Sequence, residues 1–424
     1  MRKFIQKVLA KQAKRKMEKQ KPAVVGITGS VGKSSAKQAV GAVLKRAFKV
    51  GVNLKNYNNE VGVPLTVLRL PSGGRSAWRW FGILAKGCWR SWRRDKAYPE
   101  ILVLEMAADQ PGDITYLADI ARPDVAVVTA VGESHLENFG SVENIVKEKQ
   151  VLIQRLAKDG AAILNRDDER VWAMREKSKV PVTGFGFHDE SDVRAHDVSM
   201  VFKDGAGGEC GMQFKISARG STIPVFLPGV LGRQAIYAAL AAAAVGLVKG
   251  MNLVEIAEGL RDYEPPPGRT RCLTGIKRTL LIDDTYNAAP RSMRAALQIL
   301  RDLPADTPRR KFAVLGDMLE LGSASVPGHE EAGRTAVECG VDHLILVGER
   351  MGDAKKAAVA AGFPAERINH FGSTDDAGRF VQEMLKQGDV VLVKGSRGMH
   401  MDRVVKELMA DPLLAERLLV DYHE

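Results

Sequence analysis

The chain has 424 residues, 45% of them hydrophobic and 27% charged, with a formal net charge of +11. That length and apolar content support two or three domains with cores of their own, and exclude a disordered or a small disulfide-stapled chain. The charge is local: residues 1–21 carry nine Lys/Arg against one Glu (+8) and residues 72–98 carry seven against Asp95 (+6), which leaves the remainder nearly neutral at −3.

The four cysteines, Cys88, Cys210, Cys272 and Cys339, lie far apart with no CxxC and no clustered His. They predict neither a zinc site nor a disulfide framework, and point to a reducing, cytoplasmic compartment. No apolar run reaches spanning length, and no signal peptide with a small-residue cleavage site is visible.

In chain order, residues 1–21 form a basic amphipathic segment. Phe4, Ile5, Val8 and Leu9 share one side of a helix, with Lys3, Lys7, Lys11 and Lys14 on the other. It reads first as a helix packed on the body or a solvated tail, and second as a membrane-surface anchor.

The stretch AVVGITGSVGKSS follows, at residues 23–35. A β-branched apolar run predicts a buried strand, Gly29-Ser30-Val31-Gly32 breaks it, and Lys33 onward has helical period. Strand, Gly-rich loop and Lys-Ser predict a nucleoside triphosphate site. Backbone N–H groups and a helix N-terminus face the anion, Lys33 reaches the terminal phosphates, and Ser34, with Ser35 behind it, is placed for Mg²⁺. The strict GxxxxGK[ST] spacing fails, because Ile27 stands where the first Gly belongs. Next, Asn56, Asn58, Asn59 and Glu60 form a polar set shaped for a ligand.

Residues 72–98 hold four of the five tryptophans. Trp78, Phe81, Ala85, Cys88 and Trp92 recur at helical spacing, while Arg75, Arg79, Lys86, Arg90 and Arg93 fall on another face with Ile83 intruding. This is a basic amphipathic helix with a Trp-rich face. A membrane surface ranks ahead of packing on the protein's own core, and nucleic acid ranks last. The run ILVLE then ends in Glu105, where a P-loop enzyme needs an acid for Mg²⁺. VGESHLENFGS brings His135 and Glu137 to the end of the next strand, and alternating strands and helices predict a mostly parallel, doubly wound sheet.

Together these stretches resemble the Mur ligase family, the ATP-dependent amide ligases of cell-wall precursor synthesis, and within it the branch that adds D-alanyl-D-alanine. The resemblance runs through TGSVGKSS, NNEVGVPLTVLRL, ARPDVAVVTAVGESHLENFGS, LNRDD (164–168), DDTYNAAPRSM (283–293), LGDMLELG (315–322) and VKGSRGM (393–399), in family order. It implies ATP contacts for Gly29 to Ser35 and for Arg269 and Asp283. It implies a first Mg²⁺ among Ser34, Glu105 and His135, and a second at Lys149 if that lysine is carbamylated. Substrate contacts are implied for Asn58, Asn59, Asn287, Lys394, Ser396 and Arg397, and catalytic roles for Lys33, Glu105, His135 and Lys149. The implied partners are a muropeptide-like carboxylate acceptor and an amino acid or dipeptide, met in the cytoplasm or at the inner membrane face.

Two departures stand out. GRQAIYAA at 232–239 has Gln234, Ala235 and Ala238 where the family tends to have His and Asn, and only about 22 residues precede the P-loop strand, where such members carry a domain for the uridine nucleotide. Two other functions stay open at this point. One is a ligase of this chemistry on a non-peptidoglycan acceptor such as a folate-type polyglutamate. The other is a P-loop ATPase that binds nucleic acid or a partner protein.

The expected fold is therefore α/β. A P-loop central domain at 22–264, with a mostly parallel sheet, antiparallel strands attached between 180 and 228, and the 72–98 insertion, precedes a smaller Rossmann-like α/β domain at 268–424. YEPPPGRTR, at 263–271, is the linker, stiffened by Pro.

Overall fold

The computed structural model of the protein describes residues 2–53, 57–74, 76–132, 136–202, 210–303 and 310–420. Up to residue 261 the helices are α1 (Arg2–Gln20), α2 (Lys33–Leu44), α3 (Gly62–Leu68), α4 (Ala77–Trp92), α5 (Asp113–Ile120), α6 (Leu136–Phe139), α7 (Val142–Gln154), α8 (Glu169–Ala173), α9 (Arg233–Val248) and α10 (Leu253–Arg261). The strands are β1 (Ala23–Thr28), β2 (Val50–Val52), β3 (Ile101–Glu105), β4 (Val125–Val128), β5 (Ala161–Asn165), β6 (Val182–Gly186), β7 (Val193–Phe202), β8 (Cys210–Ala218) and β9 (Ser221–Pro228).

These nine strands form one sheet in the order β2-β3-β1-β4-β5-β6-β7-β8-β9. β1 lies between β3 and β4, parallel to both, so the register pairs Ile27 with Glu105 and Thr28 with Val128. That register brings the Gly-rich loop and the acid at the end of β3 to one edge of the sheet. Continuous apolar runs suit such strands, because parallel strands covered on both faces need no polar alternation. β8 and β9 are joined by Arg219 and Gly220, both at positive φ (51° and 75°), the two-residue turn that an antiparallel hairpin requires.

The chain divides into two compact units, one of residues 1–197, 214–226 and 234–263, the other of residues 198–213, 227–233 and 264–424. The second sheet runs β10 (Arg271–Thr274), β11 (Leu280–Asp284), β15 (Val390–Lys394), β12 (Lys311–Gly316), β13 (His343–Val347) and β14 (Ile368–Phe371), in that spatial order. β10 is antiparallel to β11 and the rest are parallel. Helices α11 (Pro290–Arg301), α12 (Ser325–Glu338), α13 (Met351–Ala360), α14 (Thr374–Met384) and α15 (Asp402–Leu408) alternate with them. The fold class expected from the sequence is observed.

The expectation that the cysteines form no disulfide is corrected. Cys210 and Cys272 are joined in a disulfide across 62 residues. Gly229 brings them together: its N–H donates to Cys210 O and its carbonyl accepts from Cys272 N. The residues between them in sequence carry no sign of that bridge.

The N-terminal segment is a helix packed on the body, as its first reading held. Ile5, Leu9, Ala10 and Ala13 are buried in the core of the first unit, whereas Phe4 points out. In α4 the inward face is Ile83, Gly87 and Ser91. Trp78, Phe81, Trp89 and Trp92 are 86%, 72%, 59% and 57% exposed, so the Trp-rich face is turned away from the core. Among the described residues no helix is long and apolar enough to cross a membrane.

Candidate functional site

The loop after β1 is shaped by two glycines. Gly29 sits at φ +150°, and a Cβ there would lie 2.1 Å from Thr129 Oγ1. Gly32 takes φ 85° as it starts α2. The strand-β4 side clamps the loop: Ser30 N donates to Ala130 O at 2.7 Å, Ser30 Oγ to Gly132 O at 3.2 Å, and Thr129 Oγ1 to Val31 O at 2.6 Å. Lys33 Nζ folds back onto the carbonyls of Gly29 and Ser30, at 2.8 and 3.2 Å. Ser35 lies half-buried in the first turn, and that turn contains no acid to compete with an anion.

Glu105 is the centre of the polar cluster below the loop. Its Oε1 accepts from Ser34 Oγ at 3.2 Å and from Asn58 Nδ2 at 3.0 Å. Its Oε2 lies 3.3 Å from Lys37 Nζ, with both side chains 2% exposed. Oε2 is buried with no hydrogen bond made to it. Burial pushes the carboxyl pKa up, but Lys37, then Lys33, then the Asn58 and Ser34 hydrogen bonds outweigh it, so the group is held below the usual range and stays ionised. Asn53 fixes the backbone beneath, accepting from Glu105 N at 3.0 Å through Oδ1.

Lys149 stands on α7, buried, with its pKa lowered to about 7 by desolvation first and the Lys33 ammonium second, against the pull of Glu148 and Asp109. Its neighbour Glu148 is also buried. It ties α7 to α5 by accepting from Gly112 N at 2.9 Å and Ile114 N at 2.8 Å. His135 lies outside the described residues. Among the described residues no group of three or more His, Cys, Asp or Glu is arranged to hold a metal ion. The hard-oxygen set actually present is Ser34 Oγ with the ionised, under-satisfied Glu105, and that chemistry fits Mg²⁺.

The other predicted positions divide by role. Asn58 reaches Glu105, whereas Asn59 Oδ1 accepts from Val61 N at 3.2 Å and Gly62 N at 2.9 Å, capping the start of α3. Gln234 is exposed on α9, and Ala235 and Ala238 are buried in packing. Tyr237 of that helix donates from its hydroxyl to Asp167 Oδ2 at 2.9 Å and meets Phe187 edge-on at 5.1 Å.

In the second unit, Asp283 is fully buried and accepts from Gly268 N at 3.0 Å and Thr285 Oγ1 at 2.6 Å. Desolvation raises its pKa to about 6 despite those bonds. Oδ2 thus ties Asp283 to Gly268, next to Arg269, while Oδ1 is taken up by Thr285. Arg269 lies over the Tyr286 ring at 4.0 Å and Arg397 at 5.7 Å, so one ring gathers two guanidinium groups. Lys394, 1% exposed, pairs with Asp284 Oδ2 at 2.6 Å and donates to Asn287 O at 2.9 Å. Ser396 Oγ accepts from Leu319 N at 2.8 Å and lies 3.4 Å from Ala288 O. Asn287 is exposed, and its Oδ1 accepts from Ala288 N at 2.9 Å.

Sequence reasoning missed Lys37, Glu148 and Tyr286. Lys37 had one available signal, its place one helical turn after Lys33 on the same side of α2.

Against known proteins, the model of the Mur ligase middle domain matches residues 90–246, and that of the Mur ligase, glutamate ligase domain, matches residues 268–397. The UDP-N-acetylmuramoyl-tripeptide--D-alanyl-D-alanine ligase of Bacillus subtilis is 32% identical over 92% of this chain and 76% of its own. That of Escherichia coli is 30% identical over 91% and 76%. The crystal structure of MurF ligase from Thermotoga maritima in complex with ADP superposes with a TM-score of 0.76 at 28% identity, covering 95% of this chain and 83% of that one. The chain spans about three quarters of the length of the curated relatives it matches.

Proposed function

The chain belongs to the Mur ligase family, and we propose that it is a MurF-like, ATP-dependent amide ligase of cell-wall precursor synthesis, joining D-alanyl-D-alanine to a muramoyl-tripeptide carboxylate. The observation that carries this reading is the convergence of Lys33, Ser34, Lys37, Glu105 and Lys149 at one edge of the first sheet.

In this reading, joining a carboxylate to an amine needs a leaving group. An oxygen of the acceptor carboxylate attacks the γ-phosphorus of ATP and ADP departs. The amine nitrogen then attacks the acyl carbon, inorganic phosphate leaves, and the amine gives up a proton. Lys33, released from the carbonyls of Gly29 and Ser30, meets the terminal phosphates, and the amides of residues 29–35 cradle the rest. Ser34, Glu105 and His135 would hold one Mg²⁺, and a carbamylated Lys149 a second; bound there, the ions supply charge neutralisation for the crowded phosphates and carboxylate. Lys37 holds the Glu105 carboxylate in place and keeps it ionised. Glu148 fixes the height of α7 and so of Lys149. Arg269 and Arg397, gathered by Tyr286, are cations for a phosphate or a substrate carboxylate, with Asp283 and Lys394 holding the loops that bear them. Asn58, Asn59, Asn287 and Ser396 belong to the substrate side of this reading, Asn59 through the turn it caps.

A lipid-linked acceptor at the cytoplasmic membrane face is the finer form of the proposal, supported by the exposed Trp-rich face of α4. The decisive experiment measures phosphate release with D-alanyl-D-alanine against a panel of nucleotide-linked and lipid-linked muropeptides. Release that needs both an acceptor and the dipeptide supports the proposal. Release stimulated by nucleic acid and indifferent to the dipeptide sinks it.

A further inference from the structure

We propose that the outward face of α4, braced by α1, is a docking surface for an anionic lipid bilayer. With about 100° per residue, Trp78, Phe81, Ala85, Cys88, Trp89 and Trp92 share one narrow arc of the helix, and all six are exposed. Arg79, Lys86, Arg90 and Arg93 occupy the neighbouring arc. Ile83, Gly87 and Ser91 take the arc turned to the core. Apart from Trp80, which packs against the core beside Gly87 and Ser91, the helix carries its aromatic residues outward, so most of its apolar payload is on the side that its own fold leaves uncovered.

The face is rigidly mounted. Gln12 Nε2 of α1 donates to Leu84 O at 3.0 Å, Lys16 Nζ to Arg93 O at 2.9 Å, and Gln20 Nε2 to Asp95 O at 2.8 Å, while Lys19 Nζ reaches Trp92 O. Gly87 permits this close approach, since a Cβ there would lie 2.2 Å from Gln12 Oε1. α1 adds its own exposed bases Lys3, Lys7, Lys11 and Lys14, on the side away from its buried Ile5, Leu9 and Ala13.

Charge and residue type select the occupant. Residues 72–94 contain no Asp or Glu and six Lys/Arg. A protein partner or a second copy of this chain would have to bring acids to all of that face, whereas an anionic headgroup layer presents them everywhere. Tryptophan suits the headgroup level, where one edge of its ring is apolar and the other wet. The Arg93 guanidinium lies 4.6 Å from the Trp89 ring and that of Arg15 lies 4.1 Å from the Trp92 ring, which keeps cations at the depth where lipid phosphates sit. The surface is separate from the residues of the ligase chemistry, and rests on that reading only for the idea that the acceptor is lipid-linked.

Flotation of the full chain with phosphatidylcholine vesicles, with and without phosphatidylglycerol, at about 0.15 M salt tests it. Wild type is expected to float with the anionic vesicles only, with Trp78→Ala/Phe81→Ala and Arg79→Glu/Lys86→Glu each lowering the bound fraction about tenfold or more. Both variants are expected to keep phosphate release on a soluble acceptor, which reports separately on the ligase reading and on folding. Wild type that ignores anionic vesicles, or a Trp78→Ala/Phe81→Ala chain that binds them equally well, overturns the proposal. A wild-type dimer that Trp78→Ala/Phe81→Ala converts to monomer, without flotation, overturns it in favour of a second copy of the chain.

Discussion

Replacing Lys149 by Met tests the chemistry of the first unit at its least ordinary group. A lysine with the usual pKa of 10.5 has about one neutral amine in 3,000 at pH 7. Burial, with the Lys33 ammonium adding to it, brings Lys149 down to about 7, so about half of its amines are neutral there. That is roughly a 1,500-fold enrichment of the form able to add CO₂ and become a carbamate. Labelled bicarbonate should therefore give one carbamate carbon resonance in wild type, rising with pH around 7, and none in Lys149→Met. Ligase activity should collapse in Lys149→Ala and be partly restored by short carboxylates that enter the vacated place. The stability sign follows from the same shift. In carbonate-free buffer the folded amine sheds its proton near pH 7 and the unfolded one near 10.5, so between those values the unfolded chain holds more protons. Wild-type stability should rise relative to Lys149→Met across that window, by up to about 1.4 kcal/mol per pH unit. A carbamate midpoint near 10, or a fully active Lys149→Ala enzyme, would refute the reasoning and return Lys149 to a structural helix position.

Lys33→Ala should lower product formation by on the order of a hundredfold or more while the protein stays folded, since the Lys33 Nζ hydrogen bonds to the Gly29 and Ser30 carbonyls tie the loop to itself; unimpaired turnover would remove the loop from the mechanism. Lys37→Met strips the nearest cation from the buried Glu105 carboxylate, and should destabilise the protein by about 3 kcal/mol. A double variant with Glu105→Gln should recover part of that loss, and additive losses in the cycle would disprove the coupling. Lys394→Met leaves Asp284 facing a buried gap; its melting temperature should fall by an amount that Asp284→Asn largely restores, and an unchanged melt would show that the pair holds nothing in place.

The sequence exposes those parts of the site that backbone geometry dictates. Gly29 and Gly32 are readable because the chain conformation there, and the approach of Thr129, admit no side chain without strain. Glu105 is readable because an apolar strand ending in an acid, paired in parallel with β1, must bring that acid to the loop's edge. Buried charge is a different matter. Hydrophobic periodicity reports where apolar residues recur, and a lysine on a helix looks the same whether it faces water, as Lys147 does, or a carboxylate, as Lys37 does. Lys37 and Lys149 become recognisable only once Glu105 and Lys33 are placed beside them by strands 70 to 120 residues away in the chain. The same limit governs α4. Its periodic pattern separates an exposed aromatic arc, a basic arc and a third arc of Ile83, Gly87 and Ser91 with the half-buried Trp80, yet hydrophobicity alone assigns the aromatic arc to the core. Residue size points the other way. α1 lies against α4 closely enough that its Gln12 occupies the space of a Gly87 side chain, which a face of tryptophans could not allow. For an amphipathic helix next to a second helix, the small-residue arc is therefore the better indicator of the inward face, and the aromatic arc is what remains for the surroundings.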